Sequence, residues 1–402
     1  MELTRQQIPE GMQDVMPGQC ALMRRCENSL RKLFSLSGYQ EVQTPMLEFL
    51  SVFTSEDHGI SARKMWKTFD REGRILTLRP DSTAPAVRLA STRLFRNLPA
   101  RLSYIQSIAT CEDIGEASLN ENTQAGVELI GANGAEADAE IIALAARCLR
   151  AVGLDEFLID LGQVEFFYGL MEEAGLSRDT SLELAESLAK KDILGMELLL
   201  SRSGASKEAM QKLMLLPSLY GGEEVFERAE KLSDNPRCQC ALKNLKDILA
   251  ALDVYGLRSM VSIDLGLIYK SYYNGMIFRG ITDALGQPLI SGGRYDGLPQ
   301  SFSLKAPATG FGLSLSQLMI ALERKNGAPE IPVTHTLVGF CDGALATAAR
   351  LCEDERSAGR SAALIYDGGR EKLTEMLTAG SCKAAVWIGK SGKAEKLGGE
   401  AK

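Results

Sequence analysis

The chain has 402 residues, 45% of them hydrophobic, which is enough to bury a large core and long enough for two or three domains. No run approaches the roughly 18 consecutive apolar residues of a membrane-spanning helix. The opening MELTRQQIPEG lacks the apolar stretch of a secretory leader, so the expected setting is cytoplasmic, with no membrane partner. A formal charge of −7 argues against a protein that lives by holding nucleic acid, because phosphate contacts depend on clustered Lys and Arg.

After a loop with Gly11, Pro17 and Gly18, apolar residues Leu22, Cys26, Leu30, Leu33 and Phe34 recur at helical spacing. They predict a helix over about 19–37, closed by Gly38. YQEVQTPMLEF reads as a short strand ended by Pro45, and residues 66–70 and 74–79 read as a hairpin about Asp70-Arg71-Glu72-Gly73. LRPDSTAP then leads into a helix for which Asp81 and Ser82 are suitable caps and Pro85 suits the first turn. Residues 101–111 and 123–131 read as adjacent antiparallel strands joined by a loop rich in Gly, Ser and Asn. A helix over 135–152, a strand over 157–161 and a helix over 164–173 follow. From about 181 to 255 the pattern is almost wholly helical and leucine-rich. Strands resume through RSMVSIDLGLIYKSYYNGMIFRGI and ISGGRYDGL, where Gly292, Gly293 and Gly297 are read as turn formers and Tyr295 as a packed aromatic. Beyond the linker 326–329 the chain alternates strand (336–340), helix (344–356), strand (362–366), helix and strand (384–388), a small α/β unit with a parallel sheet. The terminal GKSGKAEKLGGEAK reads as a mobile tail.

Nine cysteines, an odd number in a long chain, fit reduced thiols better than a disulfide framework. Cys238 and Cys240 form a lone C-x-C, and His58 and His335 are the only histidines, so neither a metal site nor a histidine-based triad is expected. GGRYDG is no dinucleotide fingerprint, and GKSG at 389–392 lacks the upstream glycine of a P-loop, so no cofactor is expected either. Between Leu102 and Ala146 there is no Lys or Arg, against Glu112, Asp113, Glu116, Glu121, Glu128, Glu136, Asp138 and Glu140. A polyphosphate would be repelled there.

LRPDSTAP, then QAGVELIG with ADAEII, then GGRYDGL, in that order and spacing over nearly the whole chain, resemble the core of the class II histidyl-tRNA synthetases. The resemblance implies an α+β fold: a class II antiparallel sheet flanked by helices, with a helical insertion at about 181–255, all within residues 1–326. Residues 331–402 resemble a shortened anticodon-binding domain. YQEVQTPMLEF resembles the motif that forms the class II dimer interface, which implies self-association. In those synthetases an acid at the position of Asp81, with Thr83, holds the α-amino group of histidine. Gln124, Glu128, Tyr273 and Tyr295 stand where the family makes its remaining amino-group and imidazole contacts, and Tyr272 also survives. Four positions where the family carries cations for ATP or the histidine carboxylate are here Thr110, Asn120, Ile268 and Gln317. Adenylation needs fixed cations for the charge that builds on phosphorus, so the resemblance implies no catalytic residues. It points to the branch that keeps the fold and abandons the ligase reaction, the regulatory subunits of ATP phosphoribosyltransferase. That branch implies a separate catalytic phosphoribosyltransferase subunit as partner and histidine as effector. A divergent histidyl-tRNA synthetase, or a related ligase activating another acid, is the alternative, and the missing cations weigh against it.

Overall fold

The computed structural model describes residues 6–54, 61–111, 120–268 and 273–398. The chain divides into two compact units, Met1–Val15 with Leu22–Ala328, and Met16–Ala21 with Pro329–Lys402. In chain order the helices and strands to the end of the predicted core are α1 (Pro17–Leu36), β1 (Gln40–Glu41), β2 (Leu47–Phe49), β3 (Lys67–Phe69), β4 (Ile75–Leu78), α2 (Thr83–Leu89), β5 (Ala100–Ala109), β6 (Glu121–Ile130), α3 (Ala135–Ala151), β7 (Leu158–Gln163) and α4 (Val164–Glu173). The leucine-rich segment supplies α5 (Arg178–Ala189), α6 (Ile193–Arg202), α7 (Lys207–Met214), β8 (Tyr220–Gly221), α8 (Glu224–Leu232) and α9 (Pro236–Val254). The chain returns through β9 (Val261–Asp264), β10 (Met276–Ile281), β11 (Ile290–Arg294), α10 (Gly297–Ser301), β12 (Ala308–Ser314) and α11 (Leu315–Asn326).

Nine strands form one sheet in the order β1-β5-β6-β12-β11-β10-β7-β9-β8. Its neighbours are antiparallel except the pairs β1 with β5 and β7 with β9, so an antiparallel centre carries parallel pairs towards its margins. One face is apolar. Ala125, Val127 and Leu129 of β6, Phe311 and Leu313 of β12, and Phe278 of β10 are buried with the α3 residues Ile141, Leu144 and Cys148. Each Val, Leu, Ile or Phe of this set contributes about 1.5–3 kcal/mol by leaving water. Helix α1 adds the stripe Cys26, Leu30, Phe34 to this layer at helical spacing. It ends with Tyr39 N–H donating to Phe34 O (3.0 Å) around Gly38, whose φ of +82° lets the chain turn back.

Several sequence expectations need correction. The stretch 39–49 is two strands: β1 joins the large sheet, while β2 belongs to a separate three-stranded sheet, β2-β4-β3. Pro45 lies between them and has no N–H for a ladder. The segment 181–255 is almost wholly helical, as expected, apart from β8, which pairs with β9 and extends the large sheet. Its leucines Leu242, Leu245, Leu249 and Leu252 of α9, with Ile248, are buried in the same core as α3 and α4. Gly292 and Gly293 are strand residues of β11, not turn residues. A Cβ on Gly293 would lie 2.5 Å from Met276 O and 2.8 Å from the Tyr273 ring, so close strand and aromatic approach explains that glycine.

The second unit contains β13 (Thr334–Phe340), α12 (Leu345–Ser357), β14 (Ala362–Ile365), α13 (Gly369–Thr378), β15 (Cys382–Ile388) and β16 (Ala394–Leu397), with sheet order β14-β13-β15-β16. The first three pair in parallel, as the alternation predicts, but residues 394–397 of the expected tail form an antiparallel edge strand. Leu397 is buried there with Leu337, Leu373, Cys382 and Ala385. No described helix is long and apolar enough to cross a membrane.

Candidate functional site

The large sheet's second face is polar, and the register shows how it is assembled. Leu102, Glu128, Gly310, Gly293, Ile277 and Gly162 lie opposite one another across successive strands, as do Tyr104, Gly126, Gly312, Ser291, Arg279 and Asp160. Directly paired residues project to the same side, so this face carries Tyr104, Glu128, Ser291, Arg279 and Asp160 among five glycines, with Leu102 and Ile277 as its apolar members. The glycines make room. A Cβ on Gly126 would come within 2.6 Å of the Tyr104 hydroxyl, one on Gly312 within 2.7 Å of Gln124 Nε2, and one on Gly310 would overlap Glu128 Oε2.

Glu128 is 1% exposed. The fully buried Tyr104 donates its hydroxyl to Oε1 at 3.0 Å, Tyr295 donates to Oε2, and the Thr83 hydroxyl is also hydrogen-bonded to the carboxyl. Burial pushes the acid up to about 8 and outweighs the three hydroxyls, which favour the charged form; the nearby Asp81 pushes it further up. Glu128 forms no ion pair among the described residues. Burial thus favours its uncharged form over the carboxylate.

Helix α2 brings Thr83 and Asp81 to this group, and its start is held in several places. Ser82 N–H donates to Gln124 Oε1 (2.9 Å), and Ala84 N–H donates to Asp81 Oδ1 (3.3 Å). Capping therefore falls to Asp81, while the Ser82 hydroxyl, expected to share that role, is buried with no hydrogen-bond partner among the described residues. Just before the helix, Arg79 is buried and donates to the carbonyls of Ser107 (2.7 Å), Thr44 (2.6 Å) and Pro45 (3.3 Å). Within the helix, Arg88 pairs with Glu48 of β2 at 2.7 Å.

The structure thus brings Asp81, Thr83, Glu128 and Tyr295 into one cluster, with Gln124 on the same face and bonded to the start of α2. Half-buried Tyr273 packs beside this group over Gly293. Tyr272, Glu112, Asp113, Glu116 and the predicted loop between β5 and β6 lie outside the described residues, as does His58. The sequence reading missed Tyr104, which donates to Glu128 from β5, and it missed the glycines opposite. Their signal was available: pairing 100–109 against 121–130 in antiparallel register sets Tyr104 against Gly126.

None of the four positions where the resemblance expects a cation supplies charge. Thr110 and Asn120 join backbone to backbone (2.8 Å), and the Thr110 carbonyl accepts from Trp66 Nε1 (2.6 Å). Ile268 is buried in the main core, and Gln317 Nε2 donates to Gln287 Oε1 (3.0 Å). Arg279 is a cation of the polar face, and carboxylates meet it: Asp160 at 2.8 Å and Asp264 at 3.4 Å. Burial holds Asp264 above its usual range. The expected acidity of 102–146 is smaller than its composition suggests, because arginines outside the segment reach in. Arg294 pairs with buried Asp138 at 2.7 Å, and Arg101 with Glu140. No group of three or more His, Cys, Asp or Glu could hold a metal among the described residues. Cys238 is buried and Cys240 exposed, so that pair does not converge. The arrangement gathers carboxyls, hydroxyls, an amide and aromatic rings, and among the described residues of this cluster no nucleophile is paired with a base.

The histidyl-tRNA synthetase family profile matches residues 11–318. An ATP phosphoribosyltransferase regulatory subunit of Acetivibrio thermocellus is 43% identical over 363 residues, covering 90% of this chain and 87% of that protein. One from Desulforamulus reducens is 36% identical over 395 residues, covering 97% and 98%. Among solved structures, an ATP phosphoribosyltransferase regulatory subunit/histidyl-tRNA synthetase from Bacillus halodurans superposes with a TM-score of 0.85 at 29% identity, over 96% of this chain and 99% of that one. Histidyl-tRNA synthetase from a Nostoc species superposes at 0.78 with 18% identity, over 98% and 97%, a likeness of fold alone.

Proposed function

Because the chain belongs to the histidyl-tRNA synthetase family and, within it, to the ATP phosphoribosyltransferase regulatory subunits, we propose that it is the non-catalytic regulatory subunit of that enzyme. Its partner is a separate, short catalytic subunit that joins ATP to phosphoribosyl pyrophosphate in the first step of histidine biosynthesis. The regulatory chain is required for that subunit's activity and for feedback by histidine. It works in the cytoplasm, self-associates through the surface that carries β1 and β2, and takes no nucleic acid. Residues 1–326 carry the ligand site and 331–402 form the small second domain.

The observation that carries this reading is a contrast between two sets of residues. A buried carboxyl–hydroxyl cluster is kept at Glu128, Tyr295, Thr83 and Asp81, while Thr110, Asn120, Ile268 and Gln317 leave a triphosphate without cations. Those four positions support loss of the synthetase arginines and hence of adenylation. Asp81, Thr83, Gln124, Glu128, Tyr273 and Tyr295 then serve as a histidine site. Its amino and ring ends are well supplied and its carboxylate end lacks charge, so binding by this chain alone is weak. Histidine shifts the assembly only by its difference in affinity between two arrangements, typically ~1–3 kcal/mol of coupling. Co-expression with the short catalytic subunit from the same genome tests the proposal. A co-eluting complex with histidine-inhibited activity that neither chain shows alone is expected. Separate elution, or full regulated activity from the catalytic subunit by itself, refutes it, as does histidine-dependent pyrophosphate exchange into ATP.

A further inference from the structure

The second unit's sheet ends on β16, the last strand in the order β14-β13-β15-β16, and the far side of that strand has no neighbour among the described residues. Where the chain turns into it, Gly389 N–H donates to Lys393 O (3.2 Å). Antiparallel partners alternate between bonded and non-bonded pairs, so Glu395 and Leu397 bond to Trp387 and Ala385, whereas Ala394 and Lys396 turn their N–H and C=O groups away from β15. An edge of this kind is a template for another strand.

Helix α13 runs beside the edge. Its first turn is tied to the strand by the ion pair of Arg370 with Glu395, and its last turn meets the strand's end, where a Cβ on Gly398 would lie 2.6 Å from Leu377. Seven helical residues at about 1.5 Å each match three strand residues at about 3.3 Å each, so the two elements run alongside in the same direction. Between them lies a groove of about 1080 Å³, lined on the helix side by Glu371, Thr374, Glu375 and Thr378. Both hydroxyls donate back to helix carbonyls, Thr374 to Arg370 O (3.0 Å) and Thr378 to Thr374 O (2.8 Å). Glu371 and Glu375 form no ion pair among the described residues, so they are the wall's unmatched charge.

We propose that this groove receives an extended segment of a partner protein, which adds a fifth strand beside β16 and carries Lys or Arg at alternate positions facing α13. The backbone of Ala394 and Lys396 supplies the ladder, as in strand addition generally, and the two acids supply the selection. Glu371 and Glu375 stand one helical turn apart, about 6 Å, and alternate strand residues are about 6.6 Å apart, so two basic residues separated by one meet both. Residues of the added strand beside Glu395 and Leu397 project to the α13 side, where Leu397 is buried with Leu373. Lys396, the kind of charge that guards an edge, pairs with Val386 of the α12 layer and so projects to the other face. A second copy of this edge is a poor occupant. With Ala394 and Lys396 carrying the open groups, a two-fold pairing centred on the strand sets either Glu395 or Lys396 against itself, and like charges in opposition destabilise.

Capped synthetic pentapeptides added to the full chain test this. The probe is Val-Lys-Val-Lys-Val. One control, Val-Val-Lys-Lys-Val, has the same composition and charge but sends its lysines to opposite faces, and the other is Val-Glu-Val-Glu-Val. The probe should bind, and NMR should show slower hydrogen exchange at the Ala394 and Lys396 amides with that of Glu395 unchanged. Lys396→Pro removes an open-edge N–H and no bond to β15, and it should weaken binding about tenfold. Glu371→Gln with Glu375→Gln should weaken it about threefold to tenfold and remove most of its salt dependence. If Lys396→Pro does not fold, the double variant on the exposed helix face and the exchange measurement on parent protein decide the matter. No binding at millimolar probe, equal affinity for the two lysine peptides, tighter binding of the glutamate peptide, or an unchanged Ala394 amide overturns the inference. Protection of these amides that grows with protein concentration alone shows a second copy in the groove and overturns it too. None of these outcomes bears on the histidine reading of the first unit.

Discussion

Glu128 should make the stability of the first unit fall as pH rises, in a way that a single substitution can isolate. In the folded chain its acid form persists to about 8, against a usual carboxyl value of 4.5. Folded protein thus binds a proton that unfolded protein has released. A folded-state value above the unfolded one stabilises fully below about 4.5, and that contribution is lost progressively as pH climbs to about 8. Each pH unit in this window is worth about 1.4 kcal/mol, so the whole effect is roughly 3–5 kcal/mol, the upper figure being a limit for a fully buried group. Glu128→Gln cannot ionise and should lack this slope. It should be the less stable protein near pH 5 and equal or overtake the parent near pH 8. Urea midpoints can be read unit by unit, because the chain has two tryptophans, Trp66 in the first unit and Trp387 in the second. In a Trp387→Phe background, Trp66 fluorescence follows the first unit alone. Parallel pH profiles for parent and Glu128→Gln would refute the reasoning, since they would mean that Glu128 titrates as it does in the unfolded chain.

Asp138→Asn leaves the Arg294 guanidinium, which is only 8% exposed, with Asp296 at 3.3 Å as its remaining carboxylate. The expected loss is roughly 2–4 kcal/mol in urea unfolding, and a loss within error would show that Asp296 suffices. Gly310→Ala should cost about 1–3 kcal/mol, because its Cβ would overlap the Glu128 carboxyl and lie 2.4 Å from Val127 O. The comparison is Gly73→Ala, where nothing lies within 4 Å and only a φ of +79° opposes the change, at about 1–2 kcal/mol; equal midpoints for the two would deny the crowding. Leu397→Ala should lower the stability of the second unit by about 2–4 kcal/mol, read from Trp387 fluorescence, whereas no change would return residues 394–397 to the mobile tail that composition suggests.

What could be read from sequence was set by how strong the periodic signal was. Val164–Glu173 was legible residue for residue because an apolar helix pattern begins directly after a strand. Strands β5 and β6 were legible in kind and to within two residues at each end. By contrast, β8 and β16 are two and four residues long, too short for any alternation to show, and they exist because partner strands β9 and β15 complete them. The site divides in the same manner. Asp81, Thr83, Glu128 and Tyr295 came from local motifs. Tyr104 sits in a run of mixed apolar and polar residues with nothing local to mark it, and its partnership with Glu128 arises only when two strands align.

The opposition of polar side chains and glycines across β5, β6 and β12 also constrains how the sheet can form. Side-chain period in a strand is two, so slipping β6 by one residue against both neighbours would turn Glu128 and Gln124 into the apolar layer and carry Val127 and Ala125 to the polar side. A slip by two would preserve the faces, but it would set Glu128 rather than Gly126 against Tyr104, where a side chain has no space. Odd misalignments are thus opposed by placing polar groups in the apolar layer and even ones by collision. The ten-residue ladder between β5 and β6 is left with a single arrangement in which both layers close, and the buried cluster about Glu128 comes into being with that arrangement.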